Sequence, residues 1–481
     1  MTEASTRFSV LILAAGKATR FKSEHTKVLH SLAGRRIGDY VLDAALGAKP
    51  DRAYMVIGHE AARVKEELAR AGVEFILQRE QRGTGDAVMA ARPQIEKCPS
   101  PGLIALVGDA PLLSAATLQG LAEFHAQSGG AAAILTTRLE KPEGYGRILR
   151  GAGGRVRAIV EEKDATPPEK RIREISSGII CFSRLKLLEH LSELTDTNSQ
   201  KEFLLTDMVR IFNRRRLKVL AYPVANSREV LGVNDRSELA QVEKIIRIRK
   251  AERLMLAGVT ISDPETVVID DEVEAGRDTR IEAGSHLLGR TRVGRDCNVG
   301  PYALVSDSIL ADHVMVRPFS WVTGSEVGLG AIIGPFSHLH DGVVVGPLTR
   351  IGNFVEVKKS QIGRETKALH LSYLGDAKIG DRVNVGAGTV TCNYDGERKN
   401  PTVMEDNVFI GSGSMLVAPI RIGEGSYVAA GSALTEDVPP DSLAIARANQ
   451  INKKGWAKDR RKAQADQQAG GVAPSSPKQQ S

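Results

Sequence analysis

Cysteine is scarce in this 481-residue chain: Cys98, Cys181, Cys297 and Cys392 stand far apart, with no C-x-x-C pair. That spacing excludes the common zinc and dithiol motifs and a disulfide scaffold, and it fits a reducing, cytoplasmic setting. No apolar run approaches the roughly 18 residues a membrane span needs, and the polar start lacks the pattern of a secretory leader, so membrane insertion is not expected. After the first predicted strand there is neither dinucleotide-binding glycine spacing nor a Walker lysine, which disfavours hydride transfer and P-loop hydrolysis. Charge of one sign is also sparse. The formal net charge is +7, and two stretches carry more than the whole surplus. Residues 449–481 have seven basic side chains against two acidic ones, and 242–253 have five against two. The rest is near neutral, with no basic groove interleaved with aromatics, so no nucleic-acid partner is expected.

What is present falls into two patterns. The composition, 42% hydrophobic and 26% charged, supplies two or three cores. Short apolar runs at 8–13, 53–57, 103–107 and 132–135 read as buried strands, with helices at 61–70 and 115–126 between them. This alternation predicts an α/β domain over 1–234, Rossmann-like with a mostly parallel sheet, whose ligands sit at the carboxyl ends of strands. A long connecting helix follows over 235–258: Asp235 caps it, Glu238 completes the capping box and Gly258 stops it. Its length of roughly 35 Å suffices to hold two domains apart, and its positive charges read as a solvated face.

From 259 to 448 the period is six. Ile309, Met315, Trp321, Val327, Ile333, Leu339, Val345, Ile351 and Val357 are six residues apart, and Met404, Ile410, Leu416, Ile422, Val428 and Leu434 resume the count. A helix cannot place every sixth residue on one stripe, whereas a three-sided prism of short strands can, so a parallel β-helix is predicted. Two breaks interrupt the count: Ile362 to Ile379 spans 17 residues, and Thr391 to Met404 spans 13. His370, Tyr373, Asn393 and Tyr394 lie in this interrupted region, a cluster that a mere spacer does not need. Residues 449–481 read as a basic, mostly disordered tail.

Chemistry-bearing residues begin directly after the first strand. The segment LAAGKATR at 13–20 lets backbone N–H groups approach phosphate oxygens, and Arg20 and Lys27 can neutralise them. Gln78 and Gln81 follow, then Gly83-Thr84 in EQRGTGDA, then Gly108-Asp109 in ALVGDAP, where a Mg²⁺ ligand facing a triphosphate is expected at a strand's carboxyl end.

This order of loop, Lys27, Gly-Thr-Gly and Gly-Asp resembles the sugar nucleotidyltransferases. With the long helix, the hexad repeat and HLSYLGDAKIGDRVNVGAGTVTCNYDG at 370–396, the chain is similar to one family among them. That family is the bifunctional N-acetylglucosamine-1-phosphate uridyltransferase/glucosamine-1-phosphate acetyltransferases. The resemblance implies a left-handed β-helix of hexapeptide repeats, assembly as a homotrimer through it, and a place in UDP-N-acetylglucosamine, peptidoglycan and lipid A synthesis. It implies that Asp109 and Asn234 hold Mg²⁺, that Leu13, Ala14, Ala15, Gly16 and Lys27 meet the UTP phosphates, and that Gln78, Gly83 and Thr84 meet the uracil. Gly146, Glu161 and Ser176 would face the sugar. In the acetyl-CoA-dependent half, His370 matches the general base; an amine attacking a thioester must be unprotonated, and imidazole suits that task. His340, Lys358, Tyr373 and Asn384 match sugar-phosphate positions, and Ala387, Asn393, Tyr394, Ser412, Ala430 and Arg447 match acetyl-CoA positions.

Five positions depart from the family pattern. Ala18 replaces a second glycine of the phosphate loop, Asp86 a histidine, Val107 a tyrosine, Ser176 an asparagine and His340 an arginine. An imidazole loses its charge near neutrality where a guanidinium does not, so sugar-phosphate binding is expected to weaken and to improve as pH falls. Another reading stays open: a single-activity nucleotidyltransferase whose β-helix serves as an oligomerisation scaffold.

Overall fold

The computed structural model describes residues 6–17 and 19–470; Ala18 and the last part of the tail, 471–481, lie outside the described residues. The molecule divides by its internal contacts into two compact units that meet in sequence between Gly330 and Ala331. The division falls within the run of short strands that begins at Thr260.

The first unit opens with the expected alternation: β1 (Phe8–Leu13), α1 (Ile37–Gly47), β2 (Ala53–Ile57), α2 (Ala61–Glu67), β3 (Val73–Leu77), α3 (Thr84–Ala90), β4 (Gly102–Val107) and α4 (Ala115–Ser128). Then come β5 (Ala132–Arg138), β6 (Gly146–Arg150), β7 (Val156–Val160), β8 (Glu174–Ser183), α5 (Met208–Arg214) and β9 (Val219–Pro223). The sheet order is β9-β5-β8-β4-β1-β2-β3, with β6 and β7 branching from β8. Strands β4, β1, β2 and β3 run parallel, as do β5 and β9, while β8 runs antiparallel between β4 and β5. Val10, Leu11 and Ile12 are fully buried because both faces of the parallel strands are covered. Leu13 pairs with Val56 on one side and Val107 on the other, so the loops after β1, β2 and β4 leave the sheet side by side.

Helix α6 (Arg236–Leu256) follows, with the Asp235 carboxylate accepting from the N–H groups of Ser237 and Glu238. Part of its charged face is turned from solvent. Lys250 is buried and its Nζ donates to Asp271 O at 2.7 Å; Arg253 pairs with Asp271 and Arg247 with Asp270. Arg35, ahead of α1, also reaches Asp271 at 3.2 Å. The expectation of a solvated face holds for Lys244 and Arg253, which are exposed, and fails at Lys250 and Arg247, where the first coil presents two aspartates.

In both units, strands of two to four residues stack in parallel on the coil before, as Thr260 on Arg280 in the first and Ile333 on Ile351 in the second. Together they form three parallel sheets of a left-handed β-helix of hexapeptide repeats. The predicted register needs one correction. Ile309, Met315 and Trp321 point outward, and the buried residues are Leu310, Val316 and Val322, followed after a five-residue step by Val327. The inner prism admits medium aliphatics, and an indole is too large for it. From Ile333 to Val357, and from Met404 to Leu434, the inward positions are those expected. The tail also differs from expectation: Trp456–Gly470 forms an exposed helix, α7, with Arg460 stacked on Trp456.

Candidate active sites

The loops leaving β1, β3 and β4 line a cavity of about 450 Å³. Ten of the thirteen positions expected around the nucleotide and sugar line it: Leu13, Ala14, Ala15, Gly16, Lys27, Gln78, Gly83, Thr84, Asp109 and Asn234. Val107 and Arg20 line it too. Main-chain bonds hold the loop in place, Ala14 N–H donating to Val56 O and Gly108 N–H to Leu13 O, both at 2.9 Å.

The end of the cavity at Gly83 and Thr84 is set by a crossing of two segments. Gly83 lies at φ +112°, and a Cβ there would stand 2.5 Å from Phe203 O, so only glycine fits. Phe203 N–H donates to Arg82 O, Gly85 N–H to Phe203 O, and Leu205 N–H to the Thr84 hydroxyl. The hydroxyl of Thr84 is therefore occupied as an acceptor, and the N-terminus of α3 is fixed against 203–205.

Positive charge sits at the mouth of the phosphate loop. Lys27 Nζ lies 2.7 Å from Asp109 Oδ2, and Arg20 Nη2 donates to Asn234 Oδ1 at 2.9 Å. Asp109 and Asn234 converge over Gly232, where a Cβ would meet Asn234 Nδ2 at 3.6 Å and Asp109 Oδ1 at 3.8 Å. No group of three or more His, Cys, Asp or Glu that could hold a metal occurs among the described residues. Two hard oxygen-bearing side chains beside a phosphate cradle suit Mg²⁺, which is commonly held by one or two carboxylates with substrate phosphates completing the shell.

Gly146, Glu161 and Ser176 form a separate cluster. Ser176 pairs with Gly146 across β8 and β6, and a Cβ on Gly146 would lie 3.3 Å from Glu161 Oε2. Glu161 lines a second cavity of about 350 Å³ and accepts from Thr206 Oγ1 at 3.0 Å. Burial pushes its carboxyl above the ordinary range, and the Thr206 hydrogen bond only partly offsets this. The Ser176 hydroxyl accepts the N–H of Gly178 at 3.3 Å.

In the second unit, a column forms at one corner of the prism. Gly388 N–H donates to His370 O, Gly413 N–H to Ala387 O and Gly431 N–H to Ser412 O, which stacks His370, Ala387, Ser412 and Ala430 coil on coil. The left-handed position of this corner is Phe336, Phe354 and Leu371 in the lower coils, then Gly388, Gly413 and Gly431. The two phenylalanines stack, ring centroids 5.3 Å apart. Side-chain bulk therefore ends where the column begins, leaving an open track beside exposed His370.

The far edge of the next sheet, which follows that corner, carries His340, Lys358 and Asn393. His340 Nε2 lies 2.8 Å from Glu356 Oε1, and its ring stacks on His338 at 3.7 Å. Burial and the positive neighbours His340 and Lys358 hold His338 below the ordinary imidazole range. Tyr373 and Asn393 meet over Gly375, where a Cβ would stand 2.5 Å from the Tyr373 hydroxyl and 2.7 Å from Asn393 Nδ2. Asn393 is fixed by donating to Asp376. The 13-residue break is a small pinned hairpin: Tyr394 bridges Lys399, and Asp395 accepts from Arg398 and Glu397 N–H and from Asn400, which lowers its carboxyl to about 2. Asn384 lies on the sheet that His370 ends, in the strand paired with that of His370, and Ser412, Ala430, Tyr394 and Arg447 are exposed. One three-residue strand, about 10 Å, separates the two edges. Glu356, His338, Asp376 and Arg82 escaped the sequence reading; spacings of 16–17 residues to a functional side chain, one coil of the prism, could have found the first and third.

A phosphate-cradling α/β domain joined to a hexapeptide β-helix with its own histidine-bearing corner defines a two-site transferase. Residues 10–211 match the MobA-like NTP transferase domain, and 401–436 match the six-repeat bacterial transferase hexapeptide family. The bifunctional protein GlmU of Koribacter versatilis is 46% identical over 95% of this chain and 97% of its own length. That of Trichlorobacter lovleyi is 46% identical over 94% and 98%, and that of Pelobacter propionicus 45% over 93% and 97%. The chain belongs to the bifunctional GlmU family, the uridyltransferase/acetyltransferases of UDP-N-acetylglucosamine synthesis.

Proposed function

We propose that the corner column of the second unit is the acetyl-transfer track and the cavity beside Lys27 the uridylyl-transfer site, acetylation coming first because its product is the substrate of the second step. The observation that carries the first half is the change from Phe336, Phe354 and Leu371 to three glycines beside His370. His370 takes the proton from the amine of glucosamine 1-phosphate as nitrogen attacks the acetyl carbonyl; the C–S bond breaks and the sulfur leaves as the thiol of CoA. Lys358, Tyr373, Asn384 and His340 bind the sugar phosphate, and Ala387, Asn393, Tyr394, Ser412, Ala430 and Arg447 bind acetyl-CoA. In the first unit, an oxygen of the sugar phosphate attacks the α-phosphorus of UTP in line and pyrophosphate departs. Residues 13–16, Lys27 and Arg20 position and neutralise the phosphates; Gln78, Gly83 and Thr84 seat the base; Gly146, Glu161 and Ser176 face the sugar. Asp109 and Asn234 would hold Mg²⁺, which when bound withdraws charge from the phosphates.

We assign the protein to the cytoplasm; among the described residues no helix is long and apolar enough to cross a membrane. A homotrimer through the β-helix is supported by the exposed, stacked pair Phe409 and Tyr427 on one sheet face. Thiol release from acetyl-CoA with glucosamine 1-phosphate, and pyrophosphate release from UTP with N-acetylglucosamine 1-phosphate, test the two halves separately. A chain active only in the second assay would leave the β-helix as a scaffold.

Two variants probe the second unit. Gly413→Phe places in the track the side chain that lower coils carry at nearly the same φ, +55° and +57° against +70°, and a Cβ there meets nothing closer than 3.9 Å. Thiol release is expected to fall by roughly 10²-fold through lost positioning, with unchanged pyrophosphate release. His340→Arg supplies a permanent, bidentate charge. The KM for glucosamine 1-phosphate is expected to be lower in the variant than in the parent. Glu356, His338 and Lys358 are among the groups near this position; equal KM values in the two proteins would count against the assignment.

A further inference from the structure

Gln78 is buried and lines the first cavity, and its amide is not free to turn. Its Nε2 donates to Asp86 Oδ2 at 2.7 Å and to Gly83 O at 3.3 Å, which uses both amide hydrogens. Asp86, in the first turn of α3, is itself buried, and its other oxygen accepts from Arg82 Nη2 at 2.8 Å. A carboxylate can only accept, so the amide nitrogen of Gln78 must face it. Among the described residues no donor reaches Gln78 Oε1.

We infer that Asp86 is a positioning residue that sets base specificity: by holding the Gln78 nitrogen away from the ligand, it leaves an oxygen as the only amide group offered to the base. This rests on the uridylyl-transfer reading. A pyrimidine carrying hydrogen on N3, uracil or thymine, can donate to that oxygen. Cytosine presents a lone pair at N3 and meets acceptor with acceptor, leaving both unsatisfied. Arg82 is exposed on its outer side yet tethers the carboxylate, and its guanidinium lies over the Phe203 ring at 5.6 Å, which ties the selector to the same 203–205 segment that fixes Gly83.

The test uses the full-length protein with Mg²⁺ and N-acetylglucosamine 1-phosphate, reading pyrophosphate release from UTP and from CTP. In Asp86→Asn the new amide can present oxygen or nitrogen, so only the longer 3.3 Å bond to Gly83 O still opposes inversion of Gln78. The UTP-to-CTP ratio of kcat/KM is expected to fall by at least about tenfold, with CTP turnover rising. Asp86→Glu, which keeps an acceptor-only group, should retain a ratio closer to the parent's. If Asp86→Asn does not fold, competition in the parent by N3-methyl-UTP and 5-methyl-UTP decides: only the second should compete with UTP. A ratio unchanged in Asp86→Asn while the parent turns over UTP, or equal competition by both analogues, overturns the inference alone. A parent that releases no pyrophosphate from UTP overturns the uridylyl-transfer reading and this inference with it.

Discussion

Replacing His370 with alanine is expected to lower acetyl transfer by about 10²- to 10⁴-fold, the usual span for losing a positioned acid–base group. Pyrophosphate release from UTP by the same protein should stay within about twofold, because sites without shared partners respond independently. The expectation rests on place as well as residue type. His370 ends a strand, its carbonyl is fixed by Gly388 N–H and by the Ser372 hydroxyl at 2.9 Å, and its side chain stands at the foot of the glycine-cleared track. The residue is exposed, so its replacement should move stability by no more than about 0.5 kcal/mol. A loss of thiol release without a shift in thermal midpoint would therefore report on chemistry. Unchanged thiol release would remove His370 from the reaction and move the base elsewhere on the prism.

How much of this was legible beforehand follows from how far apart in sequence the interacting groups lie. The phosphate cradle was readable because its parts are contiguous or sit at the ends of strands, and parallel neighbours bring such ends together: Leu13, Val56 and Val107 share one row. The hexad period was readable because a prism interior repeats by covalent geometry. Its phase was not readable between 309 and 327, since Ile309, Met315 and Trp321 are apolar yet face outward, and one strand-to-strand step is short by a residue. The pairs Asp86–Gln78, Glu356–His340 and Asp376–Asn393 were invisible for a related reason. Eight residues become a contact only once α3 starts at Thr84, and 16 or 17 only once the length of a coil is known. The covered part of the charged face of α6 was misread because its partners, Asp270 and Asp271, belong to the next structural element.

The second large effect is expected at Lys27. Lys27→Met keeps most of the stem and removes the charge, and uridylyl transfer should fall by roughly 10²- to 10³-fold, the scale for losing one preorganised charge stabiliser; thiol release should not change. Two roles could produce that loss. Lys27 could act on phosphate, or it could merely hold Asp109, since the two lie 2.7 Å apart with only 17% and 23% of their side chains exposed. Thermal denaturation separates them. Losing one member of a half-buried pair leaves the other uncompensated, so Lys27→Met should be destabilised. Adding Asp109→Asn then removes the stranded charge, and the double variant should recover part of the lost thermal midpoint. It should recover no uridylyl transfer, because the phosphate end of the cavity still lacks its cation and Asp109 is itself needed there. Lost activity without any destabilisation would place Lys27 on the nucleotide alone, whereas unchanged uridylyl transfer in Lys27→Met would leave it only a structural partner of Asp109. Lys27→Arg gives the remaining discrimination: the charge survives, but a planar fork replaces a compact ammonium in a confined cavity. An intermediate rate with the Lys27–Asp109 stability retained is therefore the outcome that places the function of Lys27 on the nucleotide.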